Sequence, residues 1–203
     1  MFGKIVSKVV DVKRFSKLEI LILFNIRMFI VKRCVFMKIM TGENLKNAFS
    51  GESQAYMKYM IFSEKALKEG YPNIARLFRA IAYAEQVHAK NHLKALGLIR
   101  TTRENIQSAL EGETYEVEEM YPTYNTVAKT QNEKEAERTT YWALQAEKEH
   151  ITLYQKALKA IEEGRDLEIG DIYVCEICGY TVEGGPPEKC PICGVPKERF
   201  KKL

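Results

Sequence analysis

The stretch AEQVH, residues 84–88, puts Glu85 and His88 three residues apart on a helix face that its neighbours require to be buried. Reading outward in three- and four-residue steps, that face runs Ile74, Leu77, Ile81, Glu85, His88, His92, Ala95. The stretch EKEH, residues 147–150, repeats the Glu-x-x-His spacing on a second stripe: Ala136, Thr140, Ala143, Glu147, His150, Tyr154, Ala157. Two further stripes behave alike. One reads Leu45, Ala48, Glu52, Ala55, Tyr59, Phe62, Ala66, and the other Ile106, Ala109, Glu113, Glu116, Met120, Tyr124, Val127. Each apolar stripe is interrupted near its middle by ionisable residues.

A single Glu-x-x-His is usually a surface pair worth a few tenths of a kcal/mol, roughly. Five carboxylates and two imidazoles on inward stripes are another matter. Burying one unpaired carboxylate costs on the order of several kcal/mol, against a total domain stability of about 5–15 kcal/mol. No Lys or Arg lies on these stripes to compensate. Two divalent ions would bring four positive charges to five carboxylates. Residues three apart share a helix face, so each Glu-x-x-His can offer an oxygen and a nitrogen to one site. One Glu from each of two helices and Glu-x-x-His from two others is the known pattern of dimetal carboxylate bundles. Here Glu52, Glu85, His88, Glu113, Glu147 and His150 fill it. Glu116 is a surplus carboxylate one turn from Glu113, either a supporting group or a ligand that competes with His88. His92 reads as a packed or supporting histidine. Tyr59, and Tyr121 near Glu116, are placed to orient ligand carboxylates, or serve as plain core tyrosines.

The elements follow from start and stop signals. Thr41 is expected to cap a first helix reaching Gly70, and Pro72 starts a second that ends at Gly97. After the polar loop around RTTREN, a third helix is expected over about 104–130, kinked at Pro122. A fourth is expected over about 132–163, before Gly164. Four long helices with short connections predict an antiparallel bundle over residues 41–166. From GRDLEIGDIYVCEICGY onward the periodicity changes, and 167–203 read as a separate small domain. It is too short to bury a sufficient core without a metal or disulfides.

Residues 1–40 stand apart as an N-terminal extension. Residues 1–36 carry eight Lys/Arg against two Asp/Glu, a net of +6, while the other 167 carry 23 against 25, a net of −2. The formal +4 therefore belongs to this segment, and the main body has no nucleic-acid footprint. Its apolar run from Ile20 to Val31, broken by Asn25 and Arg27, is too short to span a membrane. The segment reads as a misassigned or poorly ordered start ahead of Met37 or Met40; the other reading is a basic surface-binding helix. Nothing implies export, and the expected location is cytoplasmic.

Four of the five cysteines, Cys175, Cys178, Cys190 and Cys193, form two C-x-x-C pairs, a strong tetrathiolate signal. Cys34 lies in the N-terminal segment. The residues leave zinc and iron both open. Gly179, Tyr180 and Gly194 after the knuckles lean towards rubredoxin. Zinc is redox-inert, whereas an iron tetrathiolate carries one electron at a time, which a redox-active dimetal site needs.

AFSGESQAYMKY, AIAYAEQVHAKNH, EGETYEVEEMYP, QAEKEH and the CEICGY…CPICG tail together resemble rubrerythrin, in that family's order and over about 43–203. The resemblance implies a mainly α fold: a ferritin-like antiparallel four-helix bundle with a small C-terminal rubredoxin-like metal-bound β domain. It implies a di-iron centre, two Fe per subunit, with Glu52, Glu85, Glu113, Glu116, Glu147 and His150 as ligands. His88 is then the ligand that exchanges with Glu116 between redox states, with Tyr59 and Tyr121 as supporting tyrosines. It implies one Fe on the four cysteines, with zinc as a substitute. The implied activity is reduction of hydrogen peroxide to water, in oxidative-stress defence of an anaerobe or microaerophile. Electrons would come from an external donor such as rubredoxin or an NAD(P)H-dependent flavoprotein reductase. The implied assembly is a head-to-tail homodimer or higher, with no nucleic acid or membrane partner. A ferritin-like ferroxidase is the alternative, although ferritins carry no cysteine electron-transfer domain. A zinc-ribbon interaction protein on a structural metal scaffold is the third reading, and the surplus Glu116 argues against it.

Overall fold

A computed structural model of the chain describes residues 37–203. The readings of residues 1–36, Cys34 included, lie outside the described residues. The chain divides into two compact units, one ending at Leu96 and the other spanning Gly97–Leu203. As the sequence predicts, the described part is mainly α with a small cysteine-bearing sheet at its C-terminal end.

The first unit is a helical hairpin of α1 (Ile39–Lys68) and α2 (Pro72–Ala95). Thr41 is not its cap. The helix begins a turn earlier, and the Gly42 N–H is already bonded to Lys38 O. Gly70 ends α1 in the left-handed region at φ 84°, with Gly70 N–H donating to Leu67 O and Tyr71 N–H to Ala66 O. That is a helix stop requiring little of a residue without Cβ. Pro72 then opens α2, where a missing N–H costs no helical bond. The seam between the helices is narrow. Ala75, Ala82 and Ala89 of α2 are buried there, as are Ser63 and Ala66 of α1, and the Ser63 hydroxyl donates to Ala75 O at 3.0 Å. Heptad-spaced alanines let two backbones approach closely. The apolar stripe expected to be buried is therefore not the seam: Phe62, Ile74, Leu77 and Ile81 are exposed.

The second unit begins with α3 (Thr102–Tyr115), whose capping box pairs the Thr101 side chain with Glu104 N–H and the Glu104 carboxylate with Thr101 N–H. The irregularity expected at Pro122 takes the form of a π-helical turn over Glu116–Met120, continuing into α4 (Tyr121–Thr130). Pro122 donates no hydrogen bond, and its ring crowds the carbonyl four residues earlier. Widening the helix by one residue relieves both effects. Asn132, at φ 59°, turns the chain into α5 (Lys134–Glu162), two residues later than its predicted start. Asn125 is buried between α4 and α5, its amide donating to Glu137 O and the Thr140 hydroxyl. The small sheet follows, in the order β2-β1-β3 and antiparallel throughout: β1 Ile172–Cys175, β2 Thr181–Glu183, β3 Phe200–Lys202. Among the described residues, no helix is long and apolar enough to cross a membrane.

Candidate metal centre

Three ligand groups are present among the described residues, each with its donor atoms within 4.8 Å of one another: Glu52/Glu85/His88, Glu113/Glu147/His150, and the four cysteines.

In the first unit, α1 contributes Glu52 and α2 contributes Glu85 and His88. His88 Nδ1 is 3.1 Å from Glu85 Oε2 and 3.9 Å from Glu52 Oε1. The imidazole is 54% exposed while Glu85 is only 16% exposed, so the group opens outward from the hairpin. Tyr59 packs against Phe62 and Phe78, with ring centroids 6.4 and 6.1 Å away. His92 lies outside the ligand group.

The group in the second unit is more enclosed. His150 Nδ1 is 2.5 Å from Glu147 Oε2 and 3.6 Å from Glu113 Oε2. Glu113 Oε2 is buried with no hydrogen-bond partner among the described residues. Burial, reinforced by the neighbouring Glu147 carboxylate, pushes the Glu113 carboxyl up to about 7. Glu147 is driven the other way: burial would raise it, but the hydrogen bond from His150 prevails and holds it low. Its hydrogen bond to Glu147 raises His150, against burial. A carboxylate oxygen orphaned beside a second carboxylate and an imidazole is the donor set a divalent cation satisfies.

Glu116, on the π turn, stays outside this triad. Burial raises its carboxyl, and the Glu147 charge adds to that, so it stands close to the group without joining it. Burial and the charges of Glu116, Glu147 and Glu113 likewise raise the Tyr121 phenol. Sequence reading missed the π turn. Its signal was available in the surplus carboxylate six residues before Pro122, because single π turns gather at functional sites.

The titrations have a measurable consequence. A carboxyl raised in the folded state keeps a proton that the unfolded chain releases. Its stabilisation is complete below pH 4.5 and is lost as pH rises through about 7. His150, raised above 6.5, acts in the same direction, whereas Glu147 weakens the fold only in acid. With zinc on the cysteines and the helical ligands metal-free, Tm is expected to fall by roughly 5 °C between pH 5.5 and 8. Glu113→Gln should flatten that fall, and a saturating divalent ion should abolish it. A Tm rising over this range in the metal-free protein would contradict the assignment.

The cysteines sit in two matching knuckles. Gly179 (φ 80°) and Gly194 (φ 77°) turn the chain so that their N–H groups donate to Cys175 O and Cys190 O. Cys175 N–H and Cys190 N–H bond Tyr180 O and Val195 O. Cys175 and Cys193 Sγ lie 3.6 Å apart, and Cys178 and Cys190 Sγ 3.5 Å apart. All four cysteines are free, far beyond disulfide bonding distance. A tetrahedral site with metal–sulfur bonds of ~2.3 Å has edges of about 3.8 Å, so the four sulfurs fit one ion. Hydrogen bonds from the Cys193 and Ile192 amides lower the Cys190 thiol despite burial, favouring thiolate there.

The comparisons with known proteins agree with this geometry. The family model described as Rubrerythrin matches residues 43–158, and that described as Rubrerythrin, rubredoxin-like domain matches 173–201. The chain is 44% identical over 176 residues to Rubrerythrin-2 of Clostridium acetobutylicum, covering 80% of this chain and 96% of that one. It is 34% identical over 179 residues to Rubrerythrin of Nitratidesulfovibrio vulgaris, covering 80% and 94%. Nigerythrin of the same organism is 34% identical over 174 residues, covering 79% and 85%. The two carboxylate–histidine groups and the tetrathiolate provide for a di-iron centre and a single iron on four cysteines.

Proposed function

This chain belongs to the rubrerythrin family, and from that membership we propose that it is a non-haem di-iron peroxidase, reducing hydrogen peroxide to water. The family's chemistry concerns peroxide and oxidative stress. The observation that carries the reading is Glu116: a surplus carboxylate on a π turn, beside the Glu113/Glu147/His150 triad yet outside it. A structural or storage site needs no spare ligand.

In this proposal Glu52, Glu85, His88, Glu113, Glu116, Glu147 and His150 would hold two irons, and the four cysteines a third. Bound there, two ferrous ions would supply the two electrons that, with two protons, convert one peroxide to two waters. Glu116 and His88 would be the exchangeable ligands, the carboxylate balancing the positive charge gained on oxidation. Glu113 releases its proton as metal binds and becomes a full anionic donor. Tyr121 keeps its phenolic proton at neutral pH, raised by burial and the neighbouring carboxylates, and would orient Glu116 by donating it. Tyr59 packs with Phe62 and Phe78 on the first unit. Iron on the four cysteines would return electrons one at a time from an external donor such as rubredoxin or an NAD(P)H-dependent reductase. Phe62, Leu77 and Ile81, exposed on the first unit, are faces through which copies associate into a head-to-tail homodimer. The protein works in the cytoplasm.

The test is anaerobic stopped-flow with fully reduced, iron-loaded protein, mixed separately with hydrogen peroxide and with O₂. The colour of the cysteine-site iron reports its reoxidation. Peroxide should recolour it much faster than O₂ does, and Glu116→Ala should lose the peroxide response. If peroxide leaves that iron reduced while O₂ and added Fe²⁺ sustain turnover, the protein is a ferroxidase instead.

A further inference from the structure

The cysteine domain does more than lie at the end of the chain. It touches α5 through two polar pairs: Lys156 Nζ donates to Glu183 Oε2 at 2.6 Å, and His150 Nε2 lies 3.0 Å from the Thr181 hydroxyl. Thr181 Oγ1 is also 3.0 Å from Gly179 O. A carbonyl oxygen only accepts, and a hydroxyl has one proton to give. With that proton on Gly179 O, the hydroxyl accepts from His150. His150 therefore donates from Nε2, while its Nδ1–H meets Glu147 and faces Glu113, the proton that a bound metal would replace. His88, the corresponding histidine of the first unit, lacks such a support. Its Nδ1 meets Glu85, its ring is exposed, and among the described residues its Nε2 makes no hydrogen bond.

We propose that Thr181 is the positioning residue for His150: a hydroxyl of the cysteine domain accepts from Nε2–H and fixes the imidazole with Nδ1 aimed at the ligand carboxylates, and so completes the helical metal site from the same chain. This rests on the reading of Glu113, Glu147 and His150 as metal ligands. A ligating histidine is normally oriented by a partner on its other nitrogen, and loss of that partner weakens metal binding by about 10–100-fold. Here the partner belongs to another metal-bound domain, so metal on α5 and docking of that domain favour each other by reciprocal linkage. The same bonds form one continuous connection between the centres, from Cys178 through the Gly179 carbonyl and the Thr181 hydroxyl to the His150 ring. Valine fills the Thr181 position without a hydroxyl and suits strand β2.

The experiment uses the full chain with zinc on the cysteines, ¹⁵N-labelled at histidine, and titrates Co²⁺ into the helical ligands by calorimetry. Wild type should show a slowly exchanging His150 Nε2–H resonance before Co²⁺ is added. Thr181→Val should lose that resonance and weaken Co²⁺ binding by about 10-fold or more. Thr181→Ser should restore both, with zinc on the cysteines unchanged in all three proteins. An unaltered Nε2–H resonance and affinity in Thr181→Val would overturn this proposal while leaving the metal centre intact. If wild type takes up no Co²⁺ beyond the cysteines, the metal-centre reading itself fails, and this one with it.

Discussion

Glu147→Ala, loaded with iron, is expected to lose peroxide turnover by at least ~10³-fold, a loss of about 4 kcal/mol in transition-state stabilisation. Glu147 is the hinge of its triad: its Oε2 is 2.5 Å from His150 Nδ1, and its carboxyl is the chief neighbour acting on Glu113. Alanine removes one donor and the charge that holds a second. The remaining carboxylate and imidazole cannot enclose a divalent ion. The fold should survive, because the metal-free protein loses a repulsive neighbour of Glu113 rather than a packing contact. Circular dichroism should show full helix, and Glu113 should titrate closer to the ordinary carboxylate range. The cysteine-site iron should remain coloured after oxidation, yet no longer be reoxidised by peroxide after reduction. Near-normal peroxide turnover in this variant would remove the second unit's triad from the mechanism.

Cys178→Ser should unfold the C-terminal domain while leaving the helices in place. Strands of four, three and three residues make a sheet too small to stand on its own. Within it, the buried apolar side chains are Cys175 and Cys190, 1% and 3% exposed, so the ligands are themselves the core. Tyr180 and Phe200, packed edge to face at 6.3 Å, add one aromatic contact. In small domains of this kind, ion binding contributes folding free energy of about 10–16 kcal/mol. Serine offers a hard, poorly acidic oxygen in place of a soft thiolate. The expected readout is loss of iron colour and protease cleavage throughout 167–203, with the fragment containing α1 to α5 protected. A variant that kept dispersed amide resonances for the sheet with no metal bound would show a core that the burial pattern does not reveal.

Both results turn on residues visible in the one-dimensional chain, and the reason is chemical. A carboxylate or imidazole on an apolar helical stripe needs a partner, and metal was the only one able to serve five carboxylates at once. Glu85 with His88, Glu147 with His150, and the four cysteines are each grouped at ligating distance. The helix stops at Gly70, Gly97 and Gly164 were equally legible, since each is a left-handed residue where glycine escapes a steric cost.

Packing faces were less legible. The stripe through Leu77, Ile81 and Phe62 is apolar, but apolarity does not specify which partner covers a face. In the first hairpin, the backbones close on Ala75, Ala82 and Ala89 instead. Small residues gain little from burial individually, and their value lies in the close approach they permit, which is a property of two helices rather than of one sequence window. The π turn at Glu116–Met120 and the bond from Thr181 to His150 belong to the same class. By itself, then, the sequence determined the helical content, the candidate ligands and the need for metal, because burial cost and ligand spacing are local quantities. Only the tertiary structure decided which faces meet, that Glu116 stands outside the triad, and which hydroxyl lies against His150, because these depend on contacts between residues distant in the chain.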